Sequence, residues 1–326
     1  MKVRESNIEL LRIVLMTIII VWHLFVYGES FLQTLATPSI YIAPLLVFPV
    51  DCFVFISGFY GLKLKRDKLI SLLCMLVTYS ILICIATTLS RGTFDIRAFA
   101  FSFFPVSTNY WYFFTLYVLL LIISPMLNVC DNWDKAYFKK MLMLTGFFYL
   151  GIMSLLFGTK TGCIGDLPLF IFIYLTGKYL KRFPVKLLIS HRIILCLTLY
   201  VVSYLSVFVF QNDSQWVIRC ISYNNPVVVL MAIEFFYLFK MLKLGTNRVV
   251  NMISSTVFAS YIVTESSLRN IYIQSVSHLC VGGGGKWLYI ILAILTIFFI
   301  CPIELIRKKI FAGLIKWLTC KSYKII

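Results

Sequence analysis

RIVLMTIIIVWH, residues 12–23, sits inside the longer apolar run ELLRIVLMTIIIVWHLFVYG, residues 9–28. The run is long enough to cross a bilayer as a helix, since about 20 apolar residues are needed. Yet it opens on Arg12 and ends near His23. Eleven residues at about 100° each make three turns plus about 20°, so the two side chains share one face, roughly 16 Å apart along the axis. A cation and a titratable base on one stripe of an oily helix need a reason.

Similar runs recur along all 326 residues. The chain is 61% hydrophobic and only 13% charged, with a mean hydropathy of +0.93. A soluble domain needs more polar exterior than that. The composition predicts an all-α, polytopic integral membrane protein with about ten transmembrane helices, near 7–27, 40–61, 69–90, 109–128, 138–157, 166–180, 192–210, 225–242, 250–270 and 287–306. Residues 1–326 read as a single transmembrane domain, with 307–326 as a short basic tail. The first run is too long for a signal-peptide core, and no small-residue cleavage site follows Trp22 and His23, so it is read as a retained span.

The net charge of +17 has a sided distribution. Of the 30 Lys and Arg residues, 23 fall in alternate loops and the two termini, 6 in the intervening loops, and Arg12 within a span. The positive-inside rule therefore places both termini in the cytoplasm, in agreement with an even number of spans. No basic stretch is interleaved with a nucleic-acid-reading motif, so nucleic acid is excluded as a partner. The ten cysteines form no CxxC pair and lie mostly in apolar runs. They read as small buried hydrophobes rather than as a disulfide framework or a zinc site, and no metal is expected. Aromatics such as Trp22, Tyr27, Tyr41 and Tyr110–Tyr112 fit an interfacial belt at the outer ends of spans. The run GGGG at 282–285 follows no strand and reads as a turn.

Ionisable groups at membrane depth are costly and mark functional sites by default. Besides Arg12 and His23 these are Asp51 in PVDCFVFISGFYG, Glu234 in VVVLMAIEFFYLFK and Glu265 in FASYIVTESS. The direction of its helix puts Glu265 near the depth of His23, where a carboxylate would orient an imidazole and stabilise its charged form. Each residue also has a plain structural reading. Arg12 and His23 would snorkel to opposite headgroup layers, Ser57 and Gly58 would permit close helix packing, and Asp51 and Glu234 would be buried partners of a cation. Beside Arg12, the stretch KLKRDK at 63–68 supplies Lys65, Arg66 and Lys68 at the cytoplasmic end of the second span. Such a cluster suits the phosphates of a large anionic donor, although basic inner loops are common.

IELLRIVLMTIIIVWH (8–23) resembles the opening of acyltransferase family 3 membrane proteins, in which an arginine and a histidine are separated by ten residues on the first helix. VDCFVFISGFYGLKLKR (50–66) resembles that family's second helix, and YWYFFTLYVLLLIISPMLN (110–128) its Trp- and Tyr-rich fourth helix. YLTGKYLKR (174–182) and ISSTVFASYIVTES (253–266) resemble later segments. The resemblance implies a membrane-bound O-acyltransferase of the bacterial plasma (inner) membrane, taking an acyl group, most simply acetyl, from cytoplasmic acetyl-CoA (acyl-CoA) to a hydroxyl of a surface polysaccharide or lipid-linked glycan. It makes His23 catalytic and Arg12 a donor-binding residue, and Asp51, Ser57 and Gly58 match its second-helix pattern. With these three, Trp111, Tyr117 and the intramembrane Glu234 are the substrate or structural candidates. One departure stands out. Many members carry a histidine after the Tyr-Leu-Ile of the ninth helix, and here Tyr261-Ile262-Val263 is followed by Thr264 and Glu265.

On this reading His23 acts as general base, Glu265 orients it, and Arg12 with Lys65, Arg66 and Lys68 holds the donor phosphates. Direct transfer and a covalent acyl-histidine both remain open. The rival classes are a lipid-linked glycan flippase or other transporter, which also carries intramembrane charges, and a polysaccharide polymerase, which would need larger outer loops.

Overall fold

The computed structural model describes residues 5–28, 41–104, 112–154, 166–266, 268 and 286–320. Among them every regular element is helical. In chain order these are α1 (Ser6–Gly28), α2 (Ala43–Val47), α3 (Pro49–Tyr60), α4 (Arg66–Arg91), α5 (Ile96–Ser102), α6 (Tyr112–Leu127), α7 (Lys135–Gly146), α8 (Leu167–Arg182), α9 (Ile189–Val209), α10 (Ser214–Cys220), α11 (Pro226–Met241), α12 (Arg248–Ser254), α13 (Val257–Thr264) and α14 (Lys286–Cys320). A 3-10 turn extends α6, and a π-helical stretch extends α7 to Met153.

Local chemistry sets the boundaries. Asp95, Asp134, Asp213, Asn225 and Asn247 accept backbone N–H bonds at the starts of α5, α7, α10, α11 and α12, which satisfies donors that a helix start leaves orphaned. α4 stops at Gly92, whose left-handed φ of 67° lets its N–H return to Thr88 O, a conformation that favours glycine.

Among the described residues, six segments are long and apolar enough to cross a membrane: Ser6–Phe25, Ala43–Tyr60, Arg66–Arg91, Thr115–Asn132, Ile189–Val209 and Trp287–Trp317. In their described residues the other four segments of the ten-span reading are helical but short or broken. α8 and α11 have 16 residues each, or about 24 Å at 1.5 Å per residue, against a hydrocarbon core of about 30 Å. The expected ninth span is interrupted at Ser255–Thr256 between α12 and α13. The basic segment from residue 307 continues α14 to Cys320.

Two layers follow from burial. The Ala43–Tyr60 segment is 72% buried whereas Ile189–Val209 is 22% buried, so α3 is interior and α9 peripheral. The innermost side chains include Leu11, Leu15, Met16 and Ile20 of α1, Phe55 of α3, Phe170 and Tyr174 of α8, and Phe236 of α11. α3 and α8 meet backbone to backbone. A Cβ on Gly58 would overlap the Tyr174 carbonyl oxygen, and one on Gly177 would lie 2.6 Å from Phe55 O. Small residues at such crossings let helices approach closely in lipid, where packing replaces the hydrophobic effect as the main attraction.

Several contacts define the two ends of the bundle. At the Ser6 end, the Tyr60 hydroxyl donates to Glu5, Asn7 donates to the carbonyls of Phe239, Lys240 and Leu242, and Ser6 binds Asn247 and Asn251. The basic loops after α3 and α11 therefore lie at the same end as the start of α1. At the opposite end, the ring of Phe25 packs on Tyr289 at the start of α14.

Candidate active site

His23 lies in the last turns of α1, and Glu265 caps the C-terminus of α13. Their parent helices pack together, and His23 Nε2 lies 3.1 Å from a Glu265 carboxylate oxygen, with the side chains only 11% and 9% exposed. Tyr261, one turn before Glu265, places its ring 5.9 Å from the imidazole. The carboxylate thus faces one ring nitrogen. The carboxylate is at ion-pair distance from Nε2, and Nδ1 is the ring nitrogen that does not face it.

The Thr264 side chain turns back on its own helix, its hydroxyl donating to Ser260 O at 3.0 Å and Tyr261 O at 3.2 Å. The residue that meets His23 is the next one, Glu265. The polar partner sits one position beyond the place where the resembling sequences carry histidine.

Arg12 lies toward the Ser6 end of α1. It donates to Glu9 at 2.9 Å, one turn earlier, and keeps 34% of its side chain exposed. Glu9 in turn accepts from Ser254 Oγ at 2.5 Å, at the break between α12 and α13. Glu9 thereby fixes Arg12 to the same broken helix that carries Glu265. Sequence reading passed over Glu9, although an acid three residues before a membrane arginine falls on its face.

Lys68 projects into the bundle, donating to the Tyr117 hydroxyl at 3.1 Å and lying 5.5 Å from that ring's centre. Tyr117 packs on Phe258 at 5.8 Å, Phe258 on Tyr261 at 6.0 Å, and Tyr261 on His23. A continuous aromatic wall therefore runs from a cation on α4 to the imidazole. Lys65 and Arg66 are exposed at the start of α4. Arg66 and Lys68, two residues apart, diverge by about 200° around the helix, so they do not share a face.

The remaining expected positions are dispersed. Glu234 is a buried ion-pair partner, accepting from Arg192 Nη1 at 2.6 Å while the guanidinium lies 4.0 Å above the Tyr237 ring. Arg192, read from sequence as a loop cation, is buried in the first turn of α9, where it also donates to Val185 O. Asp51 is fully buried, and neither carboxylate oxygen has a hydrogen-bond partner among the described residues. The Ser57 hydroxyl donates to Phe53 O in its own helix, and Gly58 serves the crossing with α8. Trp111 lies outside the described residues. A second buried pair escaped sequence reading: Arg307 donates through Nε and Nη2 to Glu304 at 2.7 and 2.8 Å. Its i,i+3 spacing was visible, but its burial was not.

Among the described residues, no group of three or more His, Cys, Asp and Glu is placed to hold a metal ion. The arrangement offers a buried imidazole–carboxylate pair, an arginine on the same helix face toward the other end, and an aromatic wall between the ends. Comparisons with curated proteins and with solved structures find no match. A family model described as an acyltransferase domain matches residues 5–306 of the 326. The chain thus belongs to acyltransferase family 3, and it is an acyltransferase with membrane-spanning helices.

Proposed function

We propose that the protein transfers an acyl group, acetyl in the simplest case, from acyl-CoA on the cytoplasmic side to a hydroxyl of a lipid-linked or surface glycan on the other side of a bacterial plasma membrane. The topology in this reading has ten crossings and both termini in the cytoplasm, supported by the charge asymmetry of the loops. The observation that carries the reading is the 3.1 Å His23–Glu265 pair on the helix whose same face holds Arg12 about 16 Å away, in a chain of an acyltransferase family.

Arg12 and Lys68, with Lys65 at the edge, hold the donor phosphates. Arginine suits the task because its planar fork stays charged and binds phosphate through two N–H groups. The acyl arm then lies along the Tyr117–Phe258–Tyr261 wall, with the thioester at His23. The acceptor hydroxyl gives its proton to His23 Nδ1 as its oxygen attacks the thioester carbonyl. The carbon–sulfur bond breaks, and the leaving thiolate takes the proton back from the imidazolium. Glu265 stabilises that imidazolium and holds the ring's orientation. Asp51 is retained as an acceptor-side position.

The test uses inside-out membrane vesicles from the host supplied with acetyl-labelled acetyl-CoA. Label should enter the glycan with the wild-type protein and not with His23→Ala at equal protein level. Labelling that persists in His23→Ala overturns the assignment. A changed amount of glycan without a change in its acetylation would favour transport or polymerisation.

A further inference from the structure

A groove of about 620 Å3 runs between α4 and α14. It extends along α4 from Ile70 to Leu82 and is closed on the other side by Phe311 and Leu314. Twelve residues of helix are about 18 Å long, close to half of a 30 Å hydrocarbon core. The wall is apolar. The one hydroxyl among the described lining residues, on Thr78, is used within α4, donating to Cys74 O at 2.6 Å. Both helices belong to segments that are long and apolar enough to cross a membrane, and the apolar wall suits contact with lipid. Neither His23 nor Glu265 lines it.

The groove has a polarity. α14 starts beside Phe25 and reaches the α12–α13 break, where Lys308 donates to Ser255 O. It therefore runs toward the Ser6 end, while α4 starts there. Arg66 lies one turn before Ile70 on the groove side of α4, and Trp317 lies one turn beyond Leu314 on α14. Both are exposed. An arginine and an interfacial tryptophan thus mark the same end of one apolar channel, and Lys63 and Lys65 adjoin it in sequence. That juxtaposition suits an anionic headgroup at the mouth and a hydrocarbon chain along the wall.

We propose that this groove is a binding site for one anionic phospholipid of the leaflet at the Ser6 end, with its phosphate at Arg66 and Trp317 and one acyl chain between α4 and α14. A chain that ends at mid-bilayer matches the groove's length, whereas a polyprenyl carrier chain exceeds a single leaflet. The site gives Arg66 a role separate from Lys68, which points the other way.

The test is native mass spectrometry of the full-length protein, delipidated in detergent and titrated with phosphatidylglycerol or phosphatidylcholine. Wild type should bind one phosphatidylglycerol per chain in preference to phosphatidylcholine. Arg66→Gln should weaken binding about fivefold, the effect of one surface cation. Val77→Trp, which fills the channel, should abolish binding, and Leu89→Trp, at a 78% exposed position outside it, should leave binding intact. Arg66 is exposed, so its variant reports on binding even if Val77→Trp fails to fold. Equal binding of the two lipids, or full binding by Arg66→Gln, overturns the proposal. So does a polyprenyl-linked glycan found in the channel, or a dimer that Val77→Trp dissociates. The readout is bound mass, so its result is independent of acyl transfer.

Discussion

Replacement of Glu265 by Gln probes the catalytic geometry with least disturbance. The amide keeps the shape of the side chain but removes the charge 3.1 Å from His23 Nε2. Both side chains are about nine-tenths buried, so water replaces little of the lost interaction. A polar contact of this kind with a charged group contributes about 1.5–3 kcal/mol, and that contribution is needed in full only when the imidazolium forms. The expected loss is therefore in kcat, by about tenfold to 150-fold at 1.36 kcal/mol per decade. KM for acyl-CoA should be unchanged, because the donor cations lie toward the other end of α1. The assay is initial rate against acetyl-CoA concentration in proteoliposomes containing the glycan acceptor. An unchanged kcat, or a loss appearing only in KM, would refute the idea that Glu265 acts through His23.

Four further outcomes follow from the same geometry. Arg12→Lys should raise KM for acyl-CoA several-fold with little change in kcat, because a point charge replaces a two-pronged donor; steady-state kinetics check it. Glu234→Ala should lower stability by roughly 3–5 kcal/mol, since it strands the Arg192 charge in the interior. Thermal unfolding in detergent measures this, and the pair Arg192→Met with Glu234→Leu should recover most of it. Gly58→Ala should cost about 1–3 kcal/mol, because the added methyl meets the Tyr174 backbone and α3 and α8 must part; the same unfolding assay applies. Glu9→Gln should loosen Arg12 and reproduce part of the Arg12→Lys rise in KM without lowering kcat.

Much of this was legible in the chain itself, for identifiable reasons. Helical periodicity placed Arg12 and His23 on one face of α1, and helix direction put Glu265 at the depth of His23; the structure brings the two to 3.1 Å. Hydropathy located the long apolar helices but passed over the short α5 and α10, and it did not give the lengths. Burial lets α8 and α11 be shorter than a lipid-facing span, and no composition window registers who a helix's neighbours are. The same limit explains Arg192 and Arg307. Each looked like a loop or tail cation, and each is buried against a carboxylate, Glu234 or Glu304. Only the packing of α9 on α11 reveals the first pair. For Gly58 the plain reading of close packing is the one the structure supports, with the Tyr174 backbone directly opposite.

Acylation of a surface glycan through His23 is read in the host by proton NMR of its surface polysaccharide. Wild-type, deletion and His23→Ala strains are compared for O-acyl signals. One O-acetyl resonance should disappear from both mutants, with polymer amount and chain length unchanged. An O-acetyl pattern identical in all three strains would contradict it.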